Sequence, residues 1–397
     1  PQTLVGRLLG AKTLVGIGLV SYSAYLWHFP LLAFARHRSL TEPSEPVFLV
    51  LAFLSLPFAY LSWRYVERPF RKKDVFNRKS IFTYAFIGSI FFISIGFAGH
   101  ITNGWSGRID ERLVRALPEE RDLMRCVSQE FKSTEVCELV TSPNKLSFLI
   151  GDSHAGAVAD EVQRAFSAEN VGLLHITKNG CLPVQNVYRA DGGNTTDLSC
   201  YRFNEKLYDY IEENEDIEYL VVMARWALLM EGSRFNNQEG GIEPTFQRPH
   251  FDLLVNGQPE YHPAYDHRPE LSARYAASIQ AFLDMGKKVI LVYPVPEAGW
   301  NVPRYLSRYY MTHPKQAFSP MAGSTSYEVF KERNRRSYAA LDSVGQHPNL
   351  FRVYPEQVFC NKDVEDRCIV QQDGHFLYQD DDHLSNAGAK LIAEKIL

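Results

Sequence analysis

Three long uncharged stretches in the first hundred residues constrain the fold more than any other feature of the sequence. No Asp, Glu, Lys or Arg occurs in residues 13–35, 47–63 or 81–99, and His28 is the one histidine among them. Each stretch approaches the ~20 residues that a helix needs to cross a bilayer core ~30 Å thick. Because backbone groups in lipid must bond internally, we predict spanning helices at about 13–35, 47–66 and 80–99. The alternative is buried core helices of a soluble protein.

The flanking charges predict the orientation of these helices. Residues 68–79 contain six Lys or Arg residues and a single acidic residue, Asp74, whereas the loop between the first two helices is balanced. The positive-inside bias places residues 68–79 in the cytoplasm, so that everything after about His100 lies outside it. The first apolar run has no signal-peptide cleavage site. Since the chain starts at Pro1 rather than Met, we expect further spans to precede it.

All six cysteines fall in the exported part, which indicates disulfides in an oxidising compartment. Six cysteines allow fifteen connectivities. Pairing of sequence neighbours is our first choice because each pair closes a short loop: Cys126–Cys137, Cys181–Cys200 and Cys360–Cys368. A cysteine metal site is the alternative, but no C-x-x-C spacing occurs. Residues 101–144 are charged, show no strong strand pattern and suggest a linker or extension. The net charge of −4 argues against a nucleic-acid binder.

From residue 145 onward, short apolar runs alternate with amphipathic segments, which predicts an α/β fold with a parallel sheet. The predicted strands are Leu146–Ile150, Val171–Ile176, Ile217–Met223, Lys288–Tyr293 and Leu350–Val353. The predicted helices are His154–Phe166, Leu271–Met285, Tyr327–Val344 and Ser385–Leu397. Residues 231–270 are interpreted as a long excursion between layers.

A serine follows the first predicted strand, where parallel sheets place their sites. Gly151 would allow a tight turn, and Ser153 would stand at the start of the next helix, near backbone N–H groups that can stabilise an oxyanion. The alternative is that Ser153 merely caps the helix, as serine often does.

A second polar segment, Asp380-Asp381-Asp382-His383, precedes the last helix. A serine nucleophile needs a base, and the base works best when a third group orients its ring. His383 would be the base, and Asp380 would orient it. We predict that this segment holds no metal. The alternatives are that the acidic run is a solvated helix start or a carboxylate site for a hard cation.

These two segments resemble the SGNH (GDSL-like) esterase superfamily, whose fold is a three-layer α/β/α sandwich. Gly151-Asp152-Ser153 matches its first block and Asp380-x-x-His383 its last. The resemblance implies oxyanion N–H groups from Ser153 and from Gly180. The family's third-block Asn is missing, since the chain reads Met223-Ala224-Arg225-Trp226 there. Arg225 could replace it, and Arg225 and Trp226 could contact the acceptor.

The apolar segments have a resemblance of their own. Ser21–Pro30 and Tyr65–Arg71 look like the closing helices of the acyltransferase-3 membrane family. We therefore expect a membrane part at 1–100, a periplasmic linker at 101–144 and an SGNH catalytic domain at 145–397. The family's N-terminal membrane helices would be a missing partner of this chain. His28 fits a histidine at a helix end better than a catalytic one.

The two resemblances together imply an enzyme that O-acetylates an extracytoplasmic polysaccharide, most simply lipopolysaccharide O-antigen, at the bacterial inner membrane. The expected partners are the polysaccharide and membrane lipid. No cofactor is expected in this chain, and acetyl-CoA would be the ultimate acyl donor. The alternatives are a peptidoglycan O-acetyltransferase, a glycan O-acetylesterase and a non-catalytic glycan-binding module. A group of aromatic residues in a loop-like stretch could stack on the sugar, although core or lid packing is the more common role of such residues: Trp300, Tyr305, Tyr309, Tyr310 and Phe318.

Overall fold

The structure is a computed structural model. It describes residues 3, 5 and 9–397, apart from 41–42, 73–74, 103, 106, 108, 120–125, 142–144, 191–195, 244–249, 256–257 and 260–267. The chain divides into two units, Pro1–Glu111 and Arg112–Leu397, and each is described by itself.

The first unit is helical, with a π-helical turn at Trp63–Glu67 after the second helix. Its helices are α1 (Lys12–Arg38), α2 (Glu45–Ser62), α3 (Arg68–Arg71) and α4 (Arg78–Ile101). Three segments, Leu14–Arg38, Glu45–Arg71 and Arg78–Ile101, are long and apolar enough to cross a membrane. The three predicted spans are helical throughout. The length and apolar composition of these helices associate the first unit with a membrane.

The second unit alternates strands and helices. Its helices are α5 (Glu111–Ala116, which starts one residue before the unit), α6 (Ser153–Ala168), α7 (Ser199–Glu213), α8 (Trp226–Glu231), α9 (Arg268–Asp284), α10 (Val302–Thr312), α11 (Tyr327–Asp342), α12 (Glu356–Phe359) and α13 (Asn386–Ile396). Its strands are β1 (Cys137–Val140), β2 (Leu146–Gly151), β3 (Gly172–Thr177), β4 (Val187–Ala190), β5 (Thr196–Asp197), β6 (Ile217–Met223), β7 (His250–Val255), β8 (Gln258–Pro259), β9 (Lys288–Val292), β10 (Thr325–Ser326), β11 (Leu350–Val353), β12 (Arg367–Cys368), β13 (Gln371–Gln372) and β14 (His375–Phe376).

The central sheet has six strands in the order β1-β3-β2-β6-β9-β11. All neighbours are parallel except β1, which pairs antiparallel with β3 at the edge. In this register Gly151 at the end of β2 lies beside Thr177 of β3 and Met223 of β6. The carboxyl ends of these three strands therefore meet at one edge, where parallel sheets place their sites.

Helices cover both faces of the sheet. Successive side chains of a strand point to opposite faces and therefore join different core clusters. In β6, Val221 and Met223 join the core cluster that contains residues of α6, α10 and α13, whereas Leu220 and Val222 join the cluster with α7 and α9. The result is a three-layer α/β/α sandwich, which confirms the predicted fold class.

The five predicted strands and four predicted helices are present within a few residues. Several segments differ from the predictions. The extension contains a strand, β1, which we did not predict because its exposed Glu138 interrupts the apolar pattern. The stretch after β9, interpreted as a loop, forms helix α10. Helix α7 was also not predicted. The excursion at 231–270 lies partly outside the described residues, and its strand β7 pairs with β4.

Candidate active site

The turn between β2 and α6 places Ser153 at the first helical residue. Gly151 has a φ of +152°, and a Cβ added there would lie 1.7 Å from the carbonyl oxygen of Met223. The residue at this position must therefore lack a side chain. The helix cap is Asp152, whose Oδ1 accepts from the backbone N–H of His154 at 2.9 Å. Since Asp152 is the cap, the hydroxyl of Ser153 is not used for capping, contrary to the alternative considered from the sequence.

Ser153, His383 and Asp380 form a continuous hydrogen-bonded chain. The Oγ of Ser153 lies 2.7 Å from Nε2 of His383, and Nδ1 of His383 lies 2.8 Å from Oδ2 of Asp380. Asp380 also accepts from the backbone N–H of His383 at 2.7 Å, which fixes the carboxylate beneath the ring. These contacts have the distances and order that a serine nucleophile, its base and an orienting carboxylate require.

The two predicted oxyanion donors lie in the turns that follow β2 and β3. The N–H of Ser153 belongs to the first turn of α6, where helices leave donors unpaired. Gly180 follows β3 in a turn that is closed by the N–H of Cys181 donating to Lys178 O at 3.0 Å. Gly180 has a φ of +68°, and its N–H has no hydrogen-bond partner among the described residues. The assignment of both N–H groups to an oxyanion hole stays a prediction.

Two disulfide-anchored segments brace the turn that carries Gly180. On one side, the N–H of Thr177 donates to Cys126 O at 3.1 Å and the ammonium of Lys178 donates to Gln129 O. On the other side, Cys181 itself is in a disulfide. The structure contains the three pairs expected from the sequence, Cys126–Cys137, Cys181–Cys200 and Cys360–Cys368.

The prediction that Arg225 and Trp226 contact the oxyanion or the acceptor is not what the structure shows. Trp226 is fully buried, and its indole N–H donates to Val292 O at 2.9 Å within the core. The Arg225 side chain is also buried and is directed at carboxylates. Only the backbone N–H of Arg225 serves the nucleophile turn, where it donates to Oδ2 of Asp152 at 3.0 Å.

The structure reveals a residue that the sequence reasoning did not select, Asp382. Its Oδ1 lies 2.9 Å from Nδ1 of His383, so that two carboxylates contact the same ring nitrogen. Its Oδ2 lies 2.6 Å from Nη1 of Arg225 and 3.4 Å from Nε2 of His154. The available signal was the acidic run itself, from which only Asp380 fits the family's spacing.

Arg225 connects this site to a buried network of charges. Besides Asp382, its guanidinium contacts Glu243 at 2.6 Å and donates through Nε to Glu297 at 2.8 Å. Glu297 accepts in addition from Arg333 at 2.9 Å, and Glu243 pairs with Arg234. Every buried carboxylate of the network therefore has a guanidinium partner, as buried charges require.

These contacts shift the proton equilibria of the site. Burial alone would lower the pKa of His383, but the Asp382 and Asp380 carboxylates outweigh it and hold that pKa well above its ordinary value. Burial would raise the pKa of Asp382, but Arg225 and His383 hold it well below its ordinary value. For Asp381, burial and the charges of neighbouring carboxylates raise the pKa to about 6. His383 therefore favours its protonated form in the free site.

Two groups of side chains bring three potential metal ligands within 4.8 Å of one another: His154, Asp382 and His383, and Asp380, Asp381 and Asp382. Asp382 belongs to both groups and already pairs with the guanidinium of Arg225. Both ring nitrogens of His383 are in the chain from Ser153 to Asp380. The adjacent positive charge and the occupied nitrogens make this donor set a poor fit for a cation.

The aromatic group predicted to stack on a sugar lies on and around α10, whose first residue is hydrogen-bonded to the segment that carries Asp380. The N–H of Val302 donates to Asp380 O at 3.0 Å. Trp300 and Tyr305 stack on each other with ring centroids 4.3 Å apart. Tyr310 is buried and packs on Phe318, so that it serves the core. A role of Trp300 or Tyr305 in holding a sugar stays a prediction.

Residues 125–397 match the family model described as "SGNH domain (fused to AT3 domains)". Among curated proteins, a Staphylococcus aureus (strain MRSA252) protein that carries an O-acetyltransferase name is 34% identical over 99 residues, which is 24% of this chain and 16% of that protein. O-acetyltransferase OatA of S. aureus (strain NCTC 8325 / PS 47) is 36% identical over 74 residues, 18% of this chain and 12% of its own length.

Among solved structures, the periplasmic domain of a Salmonella ser. Paratyphi A lipopolysaccharide acetyltransferase matches with a TM-score of 0.46 and 16% identity. The match covers 68% of this chain and 89% of that structure. The chain thus spans less than a fifth of the length of these curated relatives.

Proposed function

The chain belongs, through residues 125–397, to the SGNH domains that are fused to AT3 domains, and we propose that it is an acyltransferase that places an acetyl group on a hydroxyl of an extracytoplasmic polysaccharide. The observation that carries this proposal is the 2.7 Å contact between Ser153 Oγ and His383 Nε2, with Asp380 behind the ring. The O-acetyltransferase names of the curated relatives support the choice of acetyl transfer.

The reaction proceeds in two acyl-transfer steps. In the first, His383 takes the proton of Ser153 as its Oγ attacks the acetyl carbonyl. The N–H groups of Ser153 and Gly180 donate to the resulting oxyanion. The tetrahedral intermediate collapses to acetyl-Ser153, and His383 returns the proton to the departing group. In the second step, His383 takes the proton of a sugar hydroxyl that attacks acetyl-Ser153. The serine leaves with that proton, and the acetylated sugar is released.

The setting of this reaction is also part of the proposal. Helices α1, α2 and α4 would anchor the chain in the bacterial inner membrane, and residues 112–397 would lie in the periplasm, which fits the three disulfides. Lipopolysaccharide O-antigen is the acceptor that we propose. The acetyl group would come from acetyl-CoA through membrane helices that are the partners of this chain.

The test uses the full chain in detergent micelles and its Ser153→Ala variant. Mixed with 4-nitrophenyl acetate, the unsubstituted chain should gain the mass of one acetyl group on the peptide that contains Ser153. It should pass that group to purified O-antigen polysaccharide. Ser153→Ala should lower acetyl turnover at least ~10³-fold, as loss of a serine nucleophile does in triad enzymes. Peptide mass spectrometry and nitrophenolate release measure the two quantities.

The matched control is Ser167→Ala, which removes an exposed serine from the same helix α6. It should leave acetyl turnover unchanged. Unchanged acetyl turnover in Ser153→Ala would refute the proposed catalytic activity and favour a non-catalytic glycan-binding module. Acetyl-Ser153 that reacts with water but with neither O-antigen nor peptidoglycan fragments would favour an esterase. Transfer to peptidoglycan fragments alone would replace the proposed acceptor.

A further inference from the structure

The base of this site has an unusual second carboxylate. We propose that Asp382 is a positioning residue that orients and charges the His383 ring together with Asp380, and that Arg225 holds Asp382 in that place. This inference rests on the proposed function. It gives Arg225, which stands where the family pattern expects an Asn, a role at the base rather than at the oxyanion.

The geometry at Nδ1 of His383 carries the first step of the argument. Oδ2 of Asp380 and Oδ1 of Asp382 lie 2.8 Å and 2.9 Å from the same nitrogen, so that its single N–H is shared between two acceptors. The Asp380 side chain is 32% exposed, whereas that of Asp382 is 4% exposed. Because water screens the first carboxylate more than the second, Asp382 should contribute the stronger field per unit charge.

The arginine network carries the second step. A carboxylate buried to this degree needs a partner to remain ionised. Arg225 supplies it at 2.6 Å and is itself fixed by Glu243 and Glu297. Arg234 and Arg333 complete the network, which then contains three guanidinium groups and three carboxylates. Its charges balance, so that Asp382 stays ionised and fixed in position whether or not His383 carries a second proton.

Other charged and titratable groups around His383 do not replace this role. From α6, Ser153 contacts the far nitrogen, and the His154 ring lies with its centroid 5.1 Å from that of His383. Asp381 is the neighbouring carboxylate, but no hydrogen bond or ion pair joins its side chain to His383 in the described structure. Asp380 and Asp382 are the two that contact the ring.

The consequence for catalysis follows from where charge develops. When the Ser153 proton reaches Nε2, the ring becomes an imidazolium with two carboxylates at its other nitrogen. Stabilising that cation lowers the barrier of both acyl-transfer steps. A missing oxyanion donor costs about 10²–10³ in rate, and a second carboxylate on the base acts in the opposite direction. The cost is that the free base must lose a proton that is held more firmly.

The experiment compares four variants of the full chain in detergent micelles: Asp382→Asn, Asp380→Asn, the double variant, and Asp381→Asn as the control that removes one charge from the same loop. The substrate is 4-nitrophenyl acetate, and kcat/KM is followed against pH. In the unsubstituted chain, the acidic limb should have its midpoint above the ordinary histidine value near 6.5. Asp382→Asn should move the midpoint to lower pH and should lower the plateau at least tenfold.

Asp381→Asn should leave the plateau and the midpoint nearly unchanged. The double variant should lose at least ~10³-fold, as complete loss of the orienting carboxylate does in triad enzymes. Circular dichroism identifies variants that do not fold. If Asp382→Asn is one of them, Asp380→Asn decides the question through the pH dependence of His383 modification by diethyl pyrocarbonate, which reacts with the neutral ring. A midpoint that stays above 6.5 in Asp380→Asn supports the role of Asp382.

Two outcomes would overturn the inference while leaving the proposed function intact. One is a folded Asp382→Asn variant that matches Asp381→Asn in plateau and midpoint while Ser153→Ala is inactive. The other is an Asp380→Asn variant whose His383 titrates at or below 6.5. Full activity of Ser153→Ala would instead refute the proposed function itself.

Discussion

Asp152 joins the nucleophile turn to the neighbouring strand, and its removal gives a sharp test of how the site is built. Its Oδ1 accepts from the N–H of His154 at 2.9 Å, and its Oδ2 accepts from the N–H of Arg225 at 3.0 Å. Asp152 is itself 2% exposed. Asp152→Ala therefore leaves two buried backbone donors without an acceptor.

The size of the effect follows from these two bonds. A buried donor left unpaired costs about 1–3 kcal/mol, and the bond to His154 is also the helix cap, which is typically worth ~1 kcal/mol. Counting each bond once, with about 1–3 kcal/mol for the bond to Arg225 and ~1 kcal/mol for the cap, we expect Asp152→Ala to lower the free energy of unfolding by about 2–4 kcal/mol. Asp152→Asn keeps one acceptor oxygen but turns an N–H₂ group toward the other donor, so that about half of that loss is expected.

The assay is urea unfolding of the full chain in micelles, read by pulse proteolysis of the C-terminal unit. Asp209→Ala is the control, because Asp209 is an exposed acidic residue on α7. It should change the free energy of unfolding by less than ~0.5 kcal/mol. If Asp152→Ala behaves like Asp209→Ala, the two hydrogen bonds do not hold the turn, and the derivation of the site from them is wrong.

Two further predictions concern the same edge of the sheet. Gly151→Ala should abolish acetyl turnover and lower the urea midpoint more than Gly286→Ala does. The new Cβ at position 151 would overlap Met223 O, whereas Gly286 has a positive φ but open space around it. Equal effects of the two substitutions would contradict this prediction. Replacing both Cys181 and Cys200 by Ser should lower the free energy of unfolding by about 3 kcal/mol, since their loop has a separation of 19 residues, and an unchanged urea midpoint would contradict it.

The sequence predicts those parts of the fold whose signal is local. The apolar runs of β2, β6 and β9 identify buried strands because both faces of the sheet are covered. The Asp380-x-x-His383 spacing is equally local, since both residues lie in one short segment. Helix α7 was not predicted although Phe203, Leu207 and Ile211 recur at helical spacing, because charged and tyrosine residues dominate the segment between them.

The remaining part of the site depends on contacts between distant residues. Arg225 follows β6, whereas its carboxylate partners Glu243, Glu297 and Asp382 come from three other segments. From the sequence alone, an arginine at the end of a strand is expected to be exposed and to contact a ligand. Its burial follows only from the three carboxylates that surround it in the folded structure. The same reason explains why Trp226 was expected to contact an acceptor and instead lies in the core.

The pairing of Arg225 with Asp382 also has a consequence for how such sequences diverge. Loss of either partner alone leaves an uncompensated buried charge, which typically costs about 3–5 kcal/mol. Replacement of both by apolar residues of similar volume carries a much smaller penalty. Positions 225 and 382 should therefore covary: a relative with an uncharged residue at one position should also have one at the other.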